Sequence, residues 1–275
     1  VQNVKYDGKR ITFDDFLKQT STNAFIIIRD GKITYETYLN GKTQSTILPS
    51  YSVAKTMTSL LIGQLISEGK LKESDTFISI LPEFKDGTSF DKVTIKDLLD
   101  MNSGVGVSDN YPSGPSGWGV AIAQMYASTD VNWWLKQNRK MREEPGTFPE
   151  YRSVNTQMLG MIIQKVTGET TLAYLKPRLL APLHITGIDW ESDQKGINVG
   201  GWGIRVKTED MAKLGLLYLN KGQFEGKQIL PAAWVEEATS KHIDQEPDAT
   251  PEKRATGQYA DWIQGYGYQF WRSRH

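Results

Sequence analysis

Apolar residues recur at helical spacing in several stretches of the chain, and each stripe predicts a helix with one face in the core. The stripe that lies between residues 49 and 69 comprises Val53, Met57, Leu60 and Leu61. The stripe that ends at Gly168 comprises Leu159, Ile162, Ile163 and Val166. Shorter helices are predicted near the N-terminus, over 94–101, after Asp130, from Thr208 and near Pro231.

Other apolar patterns predict strands towards both ends of the chain. Residues 24–28 form a continuous apolar run, and residues 33–37 alternate after the hairpin turn signal Asp30-Gly31. Strand and turn character is predicted near 187–190 and near 200–203, and a further strand over 266–271. The chain therefore begins and ends with strands and has a helical middle.

This order of elements predicts an α+β fold with two lobes. Residues 1–70 and 186–275 are expected to form a discontinuous α/β lobe with an antiparallel sheet, and residues 71–185 a mainly helical lobe. A Gly/Pro/Ser-rich loop over 111–119 and a polar excursion over 244–254 are predicted at the surface.

Composition excludes several classes of function. The 275 residues include 32 basic and 32 acidic side chains, so the net charge gives no case for binding nucleic acid or an anionic membrane. No apolar run approaches the roughly 20 residues that span a bilayer. The chain has no cysteine, and its three histidines form no H-E-x-x-H motif. We therefore expect neither a catalytic metal nor another cofactor.

The chain begins at Val1 rather than at an initiating methionine. We expect that an upstream segment has been removed, which fits an exported protein, and a cytoplasmic location stays open.

The candidate chemistry lies in an S-x-x-K pattern, which occurs four times. Three copies are predicted to be solvated surface: one contains Gly69 at a helix end, one contains Asp91, and one lies in the polar run 191–195. The fourth, Ser52 to Lys55, opens the first apolar helix and places a hydroxyl and an amine one turn apart.

Serine is a weak nucleophile unless a base removes its proton. A buried Lys55 can do so, but lowering a lysine pKa from about 10.4 to about 7 costs roughly 4–5 kcal/mol. Free N–H groups at a helix start would also favour a developing alkoxide on Ser52. The alternative interpretation is a capping serine followed by a surface lysine.

Several ordered landmarks accompany this motif. They are Tyr51-Ser52-Val53-Ala54-Lys55, the segment 94–104, Pro145-Gly146 followed by Tyr151 and Leu159-Gly160, and Gly265-Tyr266-Gly267-Tyr268. In this order they resemble the serine β-lactamase and penicillin-binding-protein superfamily, above all its class C-like branch of esterases and nylon-oligomer hydrolases. The resemblance implies a bacterial protein with a β-lactamase/transpeptidase-like fold.

The resemblance implies a role for each matching residue. Ser52 would attack a carbonyl and form an acyl-enzyme, with its backbone N–H as an oxyanion donor. Lys55 would assist deprotonation, and Tyr151 would relay a proton to the leaving group. Which of Lys55 and Tyr151 is the general base stays open, and their titrations should be coupled.

The chain departs from the family pattern in two places. Where the class C motif reads Tyr-x-Asn, this chain has Ser153, with Asn155 as the nearest replacement amide; both are expected as substrate contacts. The final motif of the family would follow Gly265 by some tens of residues, beyond His275. We therefore expect a second chain or a further segment to complete the sheet and to supply a second oxyanion donor.

Three functions follow from these residues. The first is a serine hydrolase that cleaves a small-molecule ester or amide, which the missing Tyr-x-Asn amide favours. The second is a β-lactamase or D-alanyl-D-alanine carboxypeptidase that recognises penicillin. The third is a catalytically silent binding or sensor module on the same scaffold.

Overall fold

The structure, a computed structural model, describes residues 3–109, 117, 119–244 and 265–273. Within these residues the helices are α1 (Phe13–Gln19), α2 (Ala54–Ser67), α3 (Phe77–Ile80), α4 (Ile95–Leu99), α5 (Ala121–Tyr126), α6 (Val131–Asn138), α7 (Ser153–Thr167), α8 (Thr171–Leu175), α9 (Thr208–Leu219) and α10 (Ala232–Thr239). The strands are β1 (Asn3–Tyr6), β2 (Lys9–Thr12), β3 (Ala24–Arg29), β4 (Lys32–Tyr38), β5 (Ile47–Pro49), β6 (Asp189–Trp190), β7 (Ile204–Lys207), β8 (Gln223–Phe224) and β9 (Lys227–Gln228).

The described strands form small antiparallel sheets. Strands β3 and β4 make the predicted hairpin, and α9 packs against β3. Strands β5, β7 and β6 form a three-stranded sheet in which Pro49 lies opposite Arg205. This pairing brings the residues that follow β5 beside the loop that precedes β7, and both contribute to the candidate active site.

Helices α2 and α7 pack against each other at the centre of the molecule. Both carry the apolar stripes read from the sequence, and Leu61 on α2 and Ile162 on α7 are fully buried. Burying a large aliphatic side chain contributes about 1.5–3 kcal/mol, so this helix pair is a main source of stability. The predicted α+β class, with helices and antiparallel strands, is confirmed.

Local signals set several helix ends as predicted. The Asp130 carboxylate accepts a hydrogen bond from the Trp133 N–H and caps α6. Gly168 ends α7 in the left-handed conformation, with φ of 71°. Helix α9 begins at Thr208, and α10 follows Pro231.

Two local predictions were wrong or incomplete. Residues 266–271 are not a strand: Gln269 has a φ of 65°, which turns the chain back so that Tyr266 bridges to Trp271. The hairpin of β1 and β2 was missed, because its residues are mostly polar and exposed and carry little apolar alternation.

Other sequence predictions remain open. The buried apolar residues of both predicted lobes belong to a connected core, and the lobe boundaries near 70 and 186 stay predictions. The surface loop over 111–119 and the excursion over 244–254 lie outside the described residues except at 117, 119 and 244. None of the described helices is long and apolar enough to cross a bilayer.

Candidate active site

The chain reverses sharply just before Ser52. Tyr51 has a φ of 47°, a left-handed conformation that is uncommon for a bulky residue, and 75% of its surface is exposed. Ser52 then lies in a 3₁₀ turn, Tyr51–Val53, and α2 begins only at Ala54. The prediction that Ser52 lies in the first α-helical turn is therefore corrected. The 3₁₀ turn still leaves N–H groups near Ser52 without an internal acceptor, as a helix start does.

Lys55, in the first turn of α2, points its amine at Ser52. Its Nζ lies 3.1 Å from the Ser52 Oγ and 3.0 Å from the carbonyl oxygen of Gly201, and the residue is 2% exposed. Burial lowers the pKa of Lys55 to about 8, although the Asp109 carboxylate acts in the opposite direction. The surface-lysine alternative is thereby excluded. The lysines of the other three S-x-x-K copies are exposed, as predicted.

The loop at Gly200 and Gly201 fixes the second partner of Lys55. The Thr58 hydroxyl donates to the Gly200 carbonyl at 2.7 Å, and the Gly200 N–H donates to Gln157 at 2.9 Å. A Cβ at Gly200 would lie 2.3 Å from the carbonyl oxygen of Thr156. Only glycine permits this close packing on α7, which aims the Gly201 carbonyl at the amine.

Tyr151 approaches the same hydroxyl from the segment just before α7. Its phenol interacts with the Ser52 side chain, and the Lys55 Nζ lies 4.8 Å from the centre of its ring. Burial raises the pKa of Tyr151 to about 12, and the interaction with Ser52 offsets part of this rise. The phenol is therefore protonated near neutral pH and is suited to pass on a proton.

Aromatic residues of the C-terminal segment 265–273 pack against Tyr151. The Trp271 ring stacks on the Tyr151 ring at 5.1 Å between centroids, with planes inclined by 25°. Tyr266 meets the same ring edge-on at 6.2 Å. The Tyr266 landmark was identified from the sequence, whereas nothing in the sequence marked Trp271.

A buried arginine anchors the backbone after Tyr151. Arg152 is 1% exposed and donates to the carbonyl oxygen of Val105 at 2.7 Å, to Glu143 at 2.8 Å and to Glu150 at 2.7 Å. Removing one partner of a buried ion pair typically costs 3–5 kcal/mol. This network therefore holds the Tyr151 loop against the loop that follows α4.

Ser153 lies near Ser52, Lys55 and Tyr151, but its hydroxyl is already bound to another side chain. The Ser153 N–H and Oγ donate to the two oxygens of Asp109 at 2.8 and 2.6 Å. Burial raises the pKa of the Asp109 carboxyl, against the hydrogen bonds from Ser153. Sequence reasoning missed Asp109, which follows the Ser103-Gly104 landmark by a few residues in a loop.

Asn155 does not belong to this group of residues. It has no exposed surface, its carbonyl oxygen accepts from Ser103 at 2.5 Å, and its amide nitrogen lies 3.4 Å from the Met101 sulfur. Because Asn155 lies two residues after Ser153 on α7, it is on roughly the opposite side of the helix, and its side chain turns into the protein interior. The expected replacement for the missing substrate amide is therefore corrected.

Comparison with known proteins gives both family and fold relatives. The family described as Beta-lactamase matches residues 12–274. The 6-aminohexanoate-dimer hydrolase of Paenarthrobacter ureafaciens is 26% identical over 235 residues, covering 80% of this chain and 57% of that protein. This chain thus spans little more than half of that hydrolase.

Two solved structures extend the comparison. A Bacillus anthracis protein, provisionally assigned to the 6-aminohexanoate-dimer hydrolases, has a TM-score of 0.80 at 25% identity and covers 97% of this chain and 69% of its own. A penicillin-binding protein from Bacillus halodurans is alike in fold alone, with a TM-score of 0.69 at 17% identity over 95% of this chain and 84% of that one. The β-lactamase/transpeptidase-like fold expected from the sequence is confirmed, and the family match covers most of the chain. The chain belongs to the β-lactamase family.

Proposed function

We propose that this protein is a serine hydrolase that cleaves an ester or amide bond through an acyl-enzyme on Ser52. The observation that carries the proposal is the buried Lys55 amine, 3.1 Å from the Ser52 hydroxyl. Its other hydrogen bond goes to a carbonyl oxygen, and within the described residues it forms no ion pair. A neutral amine in these surroundings accepts the serine proton, as nucleophilic catalysis requires.

The relative proton affinities favour Lys55 over Tyr151 as the general base. The pKa of Lys55 is lowered to about 8, whereas that of Tyr151 is raised to about 12. A base with a pKa near the working pH combines an adequate deprotonated fraction with sufficient basicity. Lys55 therefore takes the proton as the Ser52 Oγ attacks the substrate carbonyl carbon.

The remaining steps use the same residues. The backbone N–H of Ser52 donates to the developing oxyanion, an interaction worth about 2.7–4 kcal/mol in such sites. Tyr151 donates its proton to the departing alcohol or amine and regains one from the Lys55 ammonium. A water then attacks the acyl carbon and passes its proton through Tyr151 to Lys55; the bond to the Ser52 Oγ breaks, Lys55 returns a proton to that oxygen, and the acid is released.

An ester or short linear amide is the preferred substrate class. The position that would carry an amide in the class C motif is Ser153, whose hydroxyl is bound to Asp109. A β-lactam would lack that amide contact here. The likeness to a 6-aminohexanoate-dimer hydrolase points in the same direction. The penicillin-recognising alternative rests on the fold relatives and keeps the same nucleophile.

Covalent labelling of the full chain tests the proposal. A fluorophosphonate probe should add one equivalent of mass at Ser52, and Ser52→Ala should abolish both labelling and ester hydrolysis with little change in melting temperature. A panel of esters, linear amides and a chromogenic cephalosporin then ranks the substrates. Failure of the folded wild-type chain to react would favour the silent module, and a long-lived penicillin adduct would favour the penicillin-recognising alternative.

A further inference from the structure

The start of α7 is capped from a distant part of the chain. Arg152 occupies the N-cap position, and its side chain makes no capping hydrogen bond. Asp109, from the loop after α4, accepts instead from both the N–H and the hydroxyl of Ser153. A carboxylate at this helix end also interacts favourably with the helix dipole. Because each oxygen of Asp109 accepts a hydrogen bond, the contacts fit an ionised carboxylate.

The same carboxylate lies close to the proposed catalytic pair: a Cβ at Gly201 would lie 3.2 Å from the Lys55 Nζ and 3.7 Å from the Cβ of Ser153, whose hydroxyl Asp109 binds. Asp109 interacts electrostatically with Lys55 from α2 and with Tyr151 from the segment before α7. The other titratable neighbours are Glu150, in the loop before α7, and Tyr266, in the C-terminal segment. Lys55 is the basic group among them, so a change of charge at Asp109 bears directly on its proton.

We infer that Asp109 is a positioning residue of this site. It fixes the start of α7, and with it Tyr151, and it supplies the negative charge that faces Lys55. The two roles have separate signatures. Loss of the hydrogen bonds between Ser153 and Asp109 lowers kcat, because Tyr151 is no longer held at Ser52. Loss of the charge makes Lys55 easier to deprotonate and moves the pH dependence. This inference rests on the proposed function.

The test compares kcat/KM and the rate of fluorophosphonate labelling as functions of pH in matched variants. Asp109→Asn keeps the size and one acceptor but removes the charge, so the midpoint of the acid limb should fall by at least ~0.5 pH unit. Asp109→Glu should return the midpoint towards the wild-type value. Asp210→Asn is the control: Asp210 is also buried and pairs with Lys213 at 2.8 Å on α9, and its loss should leave the midpoint unchanged.

A measurement on the wild-type chain makes the test independent of how the variants fold. The carboxyl carbon of Asp109, followed by NMR, should show an inflection where Lys55 titrates, near pH 8. Absence of this inflection, or an acid limb that does not move in folded Asp109→Asn, overturns the inference while Ser52 labelling still supports the hydrolase. A folded wild-type chain that does not label at Ser52 overturns both.

Discussion

Two lysines of this protein lie over tyrosine rings at the same distance in very different surroundings. Lys55 Nζ is 4.8 Å from the centre of the Tyr151 ring, and Lys96 Nζ is 4.8 Å from that of Tyr268. Lys96 is about half exposed, pairs with Asp100 at 3.0 Å and donates to the Tyr268 hydroxyl at 2.9 Å. Lys55 is buried, and its hydrogen bonds go to a hydroxyl and a carbonyl.

The difference shows how surroundings decide what one residue type does. Around Lys96, a carboxylate balances the charge, and the cluster ties the C-terminal segment to α4. Around Lys55, burial penalises the charged form, and Asp109 offsets only part of that penalty. We therefore interpret the Lys96 site as structural and the Lys55 site as chemical, and paired substitutions can test this contrast.

Removing each amine should give the largest contrast. Lys55→Ala is expected to lower kcat/KM by about 10²–10⁴, the range typical for losing a general base. Lys96→Ala should keep kcat/KM within about twofold and lower the free energy of unfolding by about 1 kcal/mol, since its ion pair is partly exposed. Steady-state ester hydrolysis and urea unfolding measure the two effects. Similar losses of activity in both variants would contradict the assignment.

The wild-type pH profile gives the next largest effect. Because only the neutral amine acts as the base, kcat/KM should rise about tenfold per pH unit and level off above a midpoint near pH 8. The free energy of unfolding should also rise from about pH 8 to about pH 10.5, because the unfolded chain binds a proton there that folded Lys55 has lost. Lys55→Ala is the control for the stability effect. An acid limb that stays flat down to pH 6 would count against Lys55.

The two tyrosines allow a smaller matched comparison. Tyr151→Phe should lower kcat by about 10², because the proton relay is lost. Tyr268→Phe removes a buried hydroxyl that accepts from Lys96, so it should cost about 1 kcal/mol of stability and leave kcat unchanged. Single-turnover kinetics and chemical denaturation separate these outcomes. If kcat of Tyr268→Phe falls as far as kcat of Tyr151→Phe, the different roles assigned to the two tyrosines are contradicted.

The smallest effect concerns the carbonyl beside Lys55. A Cβ at Gly201 would lie 3.2 Å from the Lys55 Nζ, so Gly201→Ala should displace the amine slightly and lower kcat by about tenfold. Gly215→Ala on α9 is the control, because its Cβ would meet nothing within 4 Å. Unchanged kcat in a stable Gly201→Ala variant would show that the position of the amine tolerates this shift.

Local signals allowed the Ser52 and Lys55 pair to be predicted from the sequence. Both residues lie within one turn at the head of an apolar stripe, so their proximity needs no knowledge of the fold. Tyr151 depended on the resemblance, because nothing in its own neighbourhood requires it to reach Ser52. The fold class followed from the order of helical stripes and apolar runs.

Contacts distant in sequence account for what was missed. Asp109 meets Ser153 across 44 residues, and the Gly201 carbonyl meets Lys55 across 146. The 3₁₀ turn at Ser52 comes directly after Tyr51, whose left-handed conformation is not one that its residue type indicates. The segment expected to complete the sheet and to supply a second oxyanion donor stays a prediction.

The rings around Tyr151 have a consequence for how protons travel. With Trp271 stacked on one face and Tyr266 against it edge-on, the phenol has little room to rotate. The side chain has therefore lost its rotational freedom during folding, and no further conformational entropy is lost in each turnover. Protons would therefore be transferred between oxygen and nitrogen atoms that are held in place. No transfer would require a rotamer change.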